Sequence, residues 1–253
     1  MNAIDATPGS GRPLTLYGVD LPSRLLLGTA RYPSPKVMSD AAIASSAGVL
    51  TVSVRREAAR GDSGRRFFEL IKALGVRVMP NTAGCRTPKE AITTAQMARE
   101  LFGTDWIKLE VIGNDDTLQP DVFGLVEAAM VLCKEGFKVF PYTTEDLIVA
   151  ERLLAAGCEV LMPWGAPIGT GRGLANPYAL KSLRRYLASV PLIIDAGIGA
   201  LPLVAIGGIT PERADGVKAA GADSLAVITD FFTHSDPDGR VRQWLAWAER
   251  VRM

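Results

Sequence analysis

Short apolar segments alternate with amphipathic stretches along most of the chain. Each apolar segment has the length of a buried strand, and the stretches between them repeat apolar residues at helical spacing, as in "PKEAITTAQMARELFG" from Pro88. The apolar segments lie at residues 24–30, 49–54, 76–82, 106–112, 137–143, 159–165, 191–197, 202–208 and 224–230. This alternation over 253 residues predicts an α/β fold, a (β/α)8 TIM barrel. A doubly wound sheet is the alternative, but no GxGxxG motif follows the first strand.

The start of the strand–helix pattern and the absence of a linker within it indicate the domain organisation. The stretch "LTLYGVDLPSRLLLG" from Leu14 predicts a small hairpin that leads into the first barrel strand. No linker rich in Pro, Gly or Ser divides the chain, so residues 1–253 are expected to form one barrel domain. In "TEDLIVAERLLAAG", Thr144 is the expected N-cap of a helix and Gly157 its C-terminal stop.

One strand signal occurs twice, within residues 191–209. "PLIIDAGIG" and "PLVAIGGIT" are both apolar runs closed by glycines, and the spacer between them is too short for a parallel crossover. Only one copy is therefore expected to form the seventh barrel strand. Local signals slightly favour the first copy, which keeps Asp195 at the barrel mouth and makes the surplus residues a loop there. If the second copy formed the strand, Ala205 would replace the acid.

Composition narrows the function classes. Lys and Arg total 28 against 27 Asp and Glu, and this near-neutral balance argues against nucleic acid as the main partner. The three cysteines have no metal-ligand spacing and indicate reduced thiols, as in cytoplasmic proteins. The sequence shows neither a signal peptide nor an apolar stretch of membrane-spanning length. A cytoplasmic protein without a membrane association is expected.

The segment Trp106–Val111 carries the clearest candidate chemistry. Strand alternation sends Lys108 and Glu110 to one face, and in a barrel strand that face is the lumen. In a purely structural interpretation, Lys108 and Glu110 form an internal ion pair. The functional interpretation is an amine whose pKa is lowered by desolvation, able to attack a carbonyl and form an imine, with Glu110 transferring protons. Asp195 is either a turn cap or a second acid–base group of the same site.

Two further segments at strand ends have weaker signals. The glycines of "GAPIGTGRG" at 165–173 allow close backbone approach to an anion, although such turns are common. Asn81 and Thr82 end another strand, where ordinary turn chemistry explains them nearly as well. The arginine-rich stretch 55–66 is expected to be a loop at the barrel mouth. It would either dock an acidic partner or be solvated.

Four motifs together resemble the bacterial thiazole synthase family of thiamin biosynthesis, from about Leu14 to Gly199. They are "WIKLEVIGND", "PNTAGC", "GAPIGTGRG" and "DAGIG". The resemblance implies a (β/α)8 barrel whose lysine forms an imine with 1-deoxy-D-xylulose 5-phosphate. It also implies sulfur from the C-terminal thiocarboxylate of a small sulfur-carrier protein, and carbon and nitrogen from dehydroglycine that another enzyme supplies. No metal or organic cofactor is implied.

The same resemblance assigns roles to residues of this chain. Lys108 would be the imine lysine, with Glu110 and Asp195 as acid–base groups. The phosphate contacts would fall on Gly169, Ala196 and Gly197. Members of this family associate, but the sequence by itself leaves the oligomeric state open.

The C-terminal segment, about residues 202–250, instead resembles the last part of thiamin-phosphate synthase. In that resemblance the contacts to a thiazole phosphate fall on Gly207, Gly208, Ile228 and Thr229. An exchange of the C-terminal part between two barrels would explain why the strand signal occurs twice. The alternative function is then a barrel that binds a phosphosugar or thiazole phosphate, with catalysis impaired by the exchange.

Overall fold

The computed structural model describes residues 14–23, 25–30, 32–168, 170, 173–196, 204–206, 224–226 and 236–250. The predicted N-terminal hairpin is present, with β1 (Leu14–Leu16) pairing antiparallel to β2 (Val19–Leu21). Parallel strands follow, and six of them form one sheet in chain order. These are β3 (Leu26–Gly28), β4 (Val49–Ser53), β5 (Arg77–Asn81), β6 (Trp106–Leu109), β7 (Lys138–Thr143) and β8 (Met162–Pro163).

Three more parallel strands continue the wall. They are β9 (Ile193–Ile194), β10 (Val204–Ile206) and β11 (Ser224–Ala226), with β10 in the middle. Parallel bridges Leu161–Leu192 and Trp164–Asp195 join β8 to β9, and β11 contacts β3. The sheet therefore curls round on itself. The predicted α/β class is confirmed, and the architecture is consistent with a (β/α)8 barrel.

The first seven helices of the described chain lie between strands, and the eighth follows β11. They are α1 (Pro35–Ala44), α2 (Val54–Ala58), α3 (Asp62–Ala73), α4 (Pro88–Phe102), α5 (Val122–Lys134), α6 (Leu147–Ala155), α7 (Pro177–Tyr186) and α8 (Pro237–Arg250). The expected loop at 55–66 is thus mostly helical, formed by α2 and the start of α3. The expected N-cap Thr144 is also wrong, because the Asp146 side chain accepts the bond from Val149 N at 2.9 Å and α6 starts later. Gly157 ends this helix region as expected, with a φ of +107°.

Two apolar layers hold the barrel together. One lies between strands and helices and contains Ile107, Leu109 and Val139. The other fills the lumen near the amino ends of the strands, where alternate residues such as Trp106 and Phe140 meet Leu16 and Leu21 of the hairpin. Because the hairpin and these side chains fill this end of the lumen, the accessible end of the barrel is the carboxyl end of the strands.

Both copies of the duplicated segment form strands. Val204 and Ala205 pair in parallel with Ile193 and Ile194, and β10 pairs with β11 on its other side. The expectation that the surplus copy would lie outside the wall as a loop is therefore wrong. The physical reason is that the second copy is itself an apolar segment whose backbone N–H and C=O groups need partners, and pairing with β9 and β11 supplies them. The first copy keeps its place beside β8.

Helix α8, at the end of the described chain, packs against elements of the N-terminal part. Val241 and Trp244 of α8 are buried in an apolar cluster with Leu27, Met38 and Phe68. None of the helices in the described part of the chain combines the length and the hydropathy that crossing a membrane requires.

Candidate active site

Three ionisable side chains meet inside the carboxyl end of the barrel. Lys108 Nζ contacts Asp195 Oδ2 and lies 3.5 Å from Glu110 Oε1. The side chains of Lys108, Glu110 and Asp195 are only 12%, 8% and 6% exposed. The structure thus brings together the three residues that the sequence singled out as catalytic candidates.

The position of Lys108 and Glu110 follows from β6. Trp106 of this strand points into the lumen, so the alternation of a strand sends Lys108 and Glu110 the same way. Glu110 is then fixed by Thr82, a fully buried residue at the end of β5. Thr82 Oγ1 accepts a hydrogen bond from Glu110 N at 2.7 Å and donates one to Glu110 O at 2.8 Å. Thr82 therefore has a structural role here that turn chemistry did not predict.

Asp195 is held through β8. Its backbone N donates to Pro163 O at 3.0 Å, and its carbonyl accepts from Gly165 N at 2.9 Å. Ala196 follows with a φ of +56°, and its carbonyl also accepts from Gly165 N, at 2.8 Å. A Cβ on Gly165 would stand 2.8 Å from Ala196 O, so only glycine fits this close approach. The first glycine of the 165–173 segment therefore serves to seat Asp195.

The ionisable groups of the site shift one another's pKa values. Burial acts to lower the pKa of Lys108, but the charges and hydrogen bonds of Asp195 and Glu110 outweigh it, so the pKa is raised above its usual value. The expectation of an amine with a lowered pKa is therefore wrong for this arrangement. Burial raises the pKa of Glu110, and the charge of Asp195 acts the same way, while Lys108 and Arg56 oppose them. The resting site is an ammonium group beside a carboxyl group that binds a proton more readily than usual.

An apolar group of side chains covers one side of the three. The Tyr142 ring centroid lies 5.9 Å from Lys108 Nζ, and Tyr142 packs with Ile112 and Trp164. Its hydroxyl donates to Leu118 O at 3.3 Å. These residues were missed from the sequence, although the alternation of Phe140 and Tyr142 along β7 could have placed Tyr142 in the lumen. They limit the access of water to the amine.

The remaining predicted contacts are only partly described. Ala196 lies beside the site through its backbone, as above. Gly169, Gly197, Gly207, Gly208, Ile228 and Thr229 lie outside the described residues. Asn81 pairs in register with Lys108, and its side chain accepts from Ala83 N at 3.3 Å, as a turn residue does. The predicted phosphate contacts beyond Ala196 thus stay predictions.

Comparisons with known proteins identify the family of this chain. A family described as "Thiazole biosynthesis protein ThiG" matches residues 15–207. A thiazole synthase of Brucella abortus is 56% identical over 95% of this chain and 90% of its own length. Among solved structures, the Amycolatopsis orientalis BexX/CysO complex is similar with a TM-score of 0.74 and 27% identity, covering 95% of this chain and 94% of that one.

A more distant likeness extends over most of the chain. Thiamine phosphate pyrophosphorylase from Pyrococcus furiosus has a TM-score of 0.51 and 16% identity, over 90% of this chain and 96% of its own. At this identity the likeness shows a shared fold alone. The family match ends at residue 207, whereas the Brucella relative covers 95% of the chain and so extends further. The predicted exchange of the C-terminal part stays a prediction.

Proposed function

Because this chain belongs to the thiazole biosynthesis protein ThiG family, we propose that it makes thiazole phosphate through a lysine imine. It is an enzyme of the thiazole synthase kind and acts in thiamin biosynthesis. The proposed substrates are 1-deoxy-D-xylulose 5-phosphate, dehydroglycine and the thiocarboxylate of a sulfur-carrier protein. The observation that carries the proposal is the buried Lys108 between two carboxyl groups.

The three side chains suit the formation of an imine. Lys108 must first lose a proton, and the adjacent Asp195 and Glu110 are the acceptors within reach. Nζ then attacks the carbonyl carbon of the sugar phosphate to form a carbinolamine. Proton return to its hydroxyl group expels water and leaves the C=N bond. Glu110, whose pKa is raised, is suited to take up a proton in one step and return it in the next.

Borohydride trapping tests this proposal. Reduction in the presence of deoxyxylulose phosphate should add the mass of the reduced sugar phosphate to the peptide that carries Lys108. The variant Lys108→Arg should give no adduct, because a guanidinium stays protonated. Lys138→Arg is the matched control, since Lys138 is a strand lysine paired with Asp105 at 3.0 Å, at the opposite end of the barrel. An adduct on another lysine, or turnover by folded protein without one, would contradict the assignment. Sugar phosphate binding without any adduct would favour the impaired barrel instead.

The proposed protein partner would approach the same end of the barrel. The similar structure is a complex of BexX with CysO, which fits a protein partner for this fold. The arginines of α3, Arg65 and Arg66, are exposed and suit an acidic carrier, although Arg65 also contacts Asp62. Replacing both with Ala should weaken carrier binding and flatten its salt dependence. Unchanged affinity at low salt would remove this surface from the docking site.

A further inference from the structure

A polar cavity lies at the carboxyl ends of β3 and β4. It has a volume of about 330 Å³, and its lining includes Thr29, Tyr32, Ser34, Arg56, Glu57 and Arg60. This volume is at the small end of the range of ligand pockets. The strands β3 and β4 belong to the same sheet as β6, so the cavity opens at the end of the barrel that carries Lys108.

Most polar groups of this cavity are already engaged. Glu57 is buried and contacts Arg60 at 3.2 Å, so these two charges balance each other. Thr29 Oγ1 donates to Thr51 O at 2.8 Å, and Ser34 Oγ accepts from Val37 N at 3.2 Å as the cap of α1. These groups are therefore poor candidates for holding a ligand.

Arg56 differs from Arg55, the other cationic residue of α2. Arg55, its neighbour in α2, turns away and donates to Gly84 O at 2.8 Å, and it pairs with Glu90 at 3.4 Å. Arg56 makes neither an ion pair nor a hydrogen bond within the described part of the chain. Its guanidinium is thus available to an anion that enters the cavity.

Arg56 also acts on the site of Lys108. Burial raises the pKa of Glu110, and the charge of Arg56 is a smaller influence that acts to lower it. An anionic ligand that approaches Lys108 also meets Glu110 and Asp195, which repel it. A cation on the cavity side is needed to offset that repulsion.

We propose that Arg56 binds the carboxylate of a small carboxylate co-substrate and holds it in this cavity, at the end of the barrel that carries Lys108. The proposal rests on the proposed function, in which dehydroglycine is such a substrate. A guanidinium binds a carboxylate through two parallel hydrogen bonds, which fixes both position and orientation. The phosphate of the sugar is expected elsewhere, at backbone amides of the loops after the last strands.

Oxamate is a suitable probe, because it has the size and carboxylate of dehydroglycine but does not react. Its affinity is measured by NMR titration on the wild type, on Arg56→Gln and on Arg152→Gln. Arg152 is an exposed arginine of α6, so its variant controls for the loss of one positive charge. We expect Arg56→Gln to weaken oxamate binding at least about tenfold and Arg152→Gln to leave it unchanged. Arg56→Lys should fall between the wild type and Arg56→Gln.

Borohydride trapping on the same proteins separates this inference from the proposed function. Arg56→Gln should form the Lys108 adduct at the same sugar phosphate concentration as the wild type. If Arg56→Gln instead needs more sugar phosphate and keeps its oxamate affinity, Arg56 binds the phosphate and the inference is wrong. Absence of oxamate binding to the wild type would also overturn it. Absence of the adduct on the wild type would contradict the imine and not the carboxylate site, since oxamate binding requires no imine.

Discussion

The variant Glu110→Gln should lower the pKa of Lys108. Glu110 Oε1 lies 3.5 Å from Lys108 Nζ, and the two groups are nearly buried. At this separation Coulomb's law with an effective dielectric constant of about 20 gives roughly 5 kcal/mol of attraction. Converted to a pKa shift, this attraction sets an upper limit of about 3.5 units. Opposite charges within a few ångström shift pKa values by about 1–3 units in proteins, and we expect a downward shift in that range.

The direction of this pKa shift follows from which protonation state of Lys108 its neighbours favour. A negative Glu110 favours the ammonium form of Lys108, and a neutral Gln does not. Burial, which opposes the charged form, remains in the variant. Asp195 also remains in contact with Lys108, so the ammonium group is still paired and the variant should fold. The free amine should therefore become available at a lower pH than in the wild type.

Labelling with cyanate at graded pH measures this shift. Cyanate is small enough to reach a nearly buried amine and reacts with the unprotonated form. The modified fraction of Lys108 is compared with that of Lys181, an exposed lysine of α7 in the same digest. Glu151→Gln, which removes an exposed acid of α6, is the matched control and should leave the midpoint unchanged. A midpoint for Glu110→Gln that is unchanged or higher would refute the ion pair as the cause of the raised pKa.

Three other substitutions test how the fold supports the site. Thr82→Val keeps the shape but leaves Glu110 N and O without their partner, so we expect a loss of about 2–3 kcal/mol in urea unfolding and slower imine trapping. Unchanged stability would mean that water replaces the hydroxyl. Gly165→Ala should slow trapping because its Cβ would displace Ala196 O, and equal rates would show that the loop adapts freely. Deleting Ala200–Ile209 removes β10 and both its pairings, so the urea midpoint should fall. An equal midpoint would indicate that β9 pairs directly with β11.

Residue alternation was sufficient to predict part of the site. The face shared by Trp106, Lys108 and Glu110 follows from a period of two along one strand, which needs no knowledge of the rest of the chain. The role of Thr82 could not be predicted in this way. Its bonds to Glu110 join residues on different strands, and they depend on the register between β5 and β6.

The protonation of Lys108 shows a second limit of sequence reasoning. Burial of a lone lysine lowers its pKa, whereas an ion pair raises it, and the strand pattern left both interpretations of Lys108 open. The pKa is raised instead by two carboxyl groups whose distances from Lys108 depend on the folded chain, one just after β6 and one just after β9. Similarly, both Thr144 and Asp146 suit a helix N-cap, and only the backbone conformation selects Asp146.

The duplicated strand affects a different part of the barrel from the one that holds the three ionisable residues. Asp195 is fixed by hydrogen bonds to β8 and to Gly165, and Lys108 and Glu110 by β6 and Thr82. None of these contacts involves β10. The extra strand instead separates β9 from β11, where the phosphate contacts are predicted, and an added strand widens a barrel. If the C-terminal part was exchanged, its effect should therefore be on the affinity for the sugar phosphate, with the chemistry at Lys108 retained.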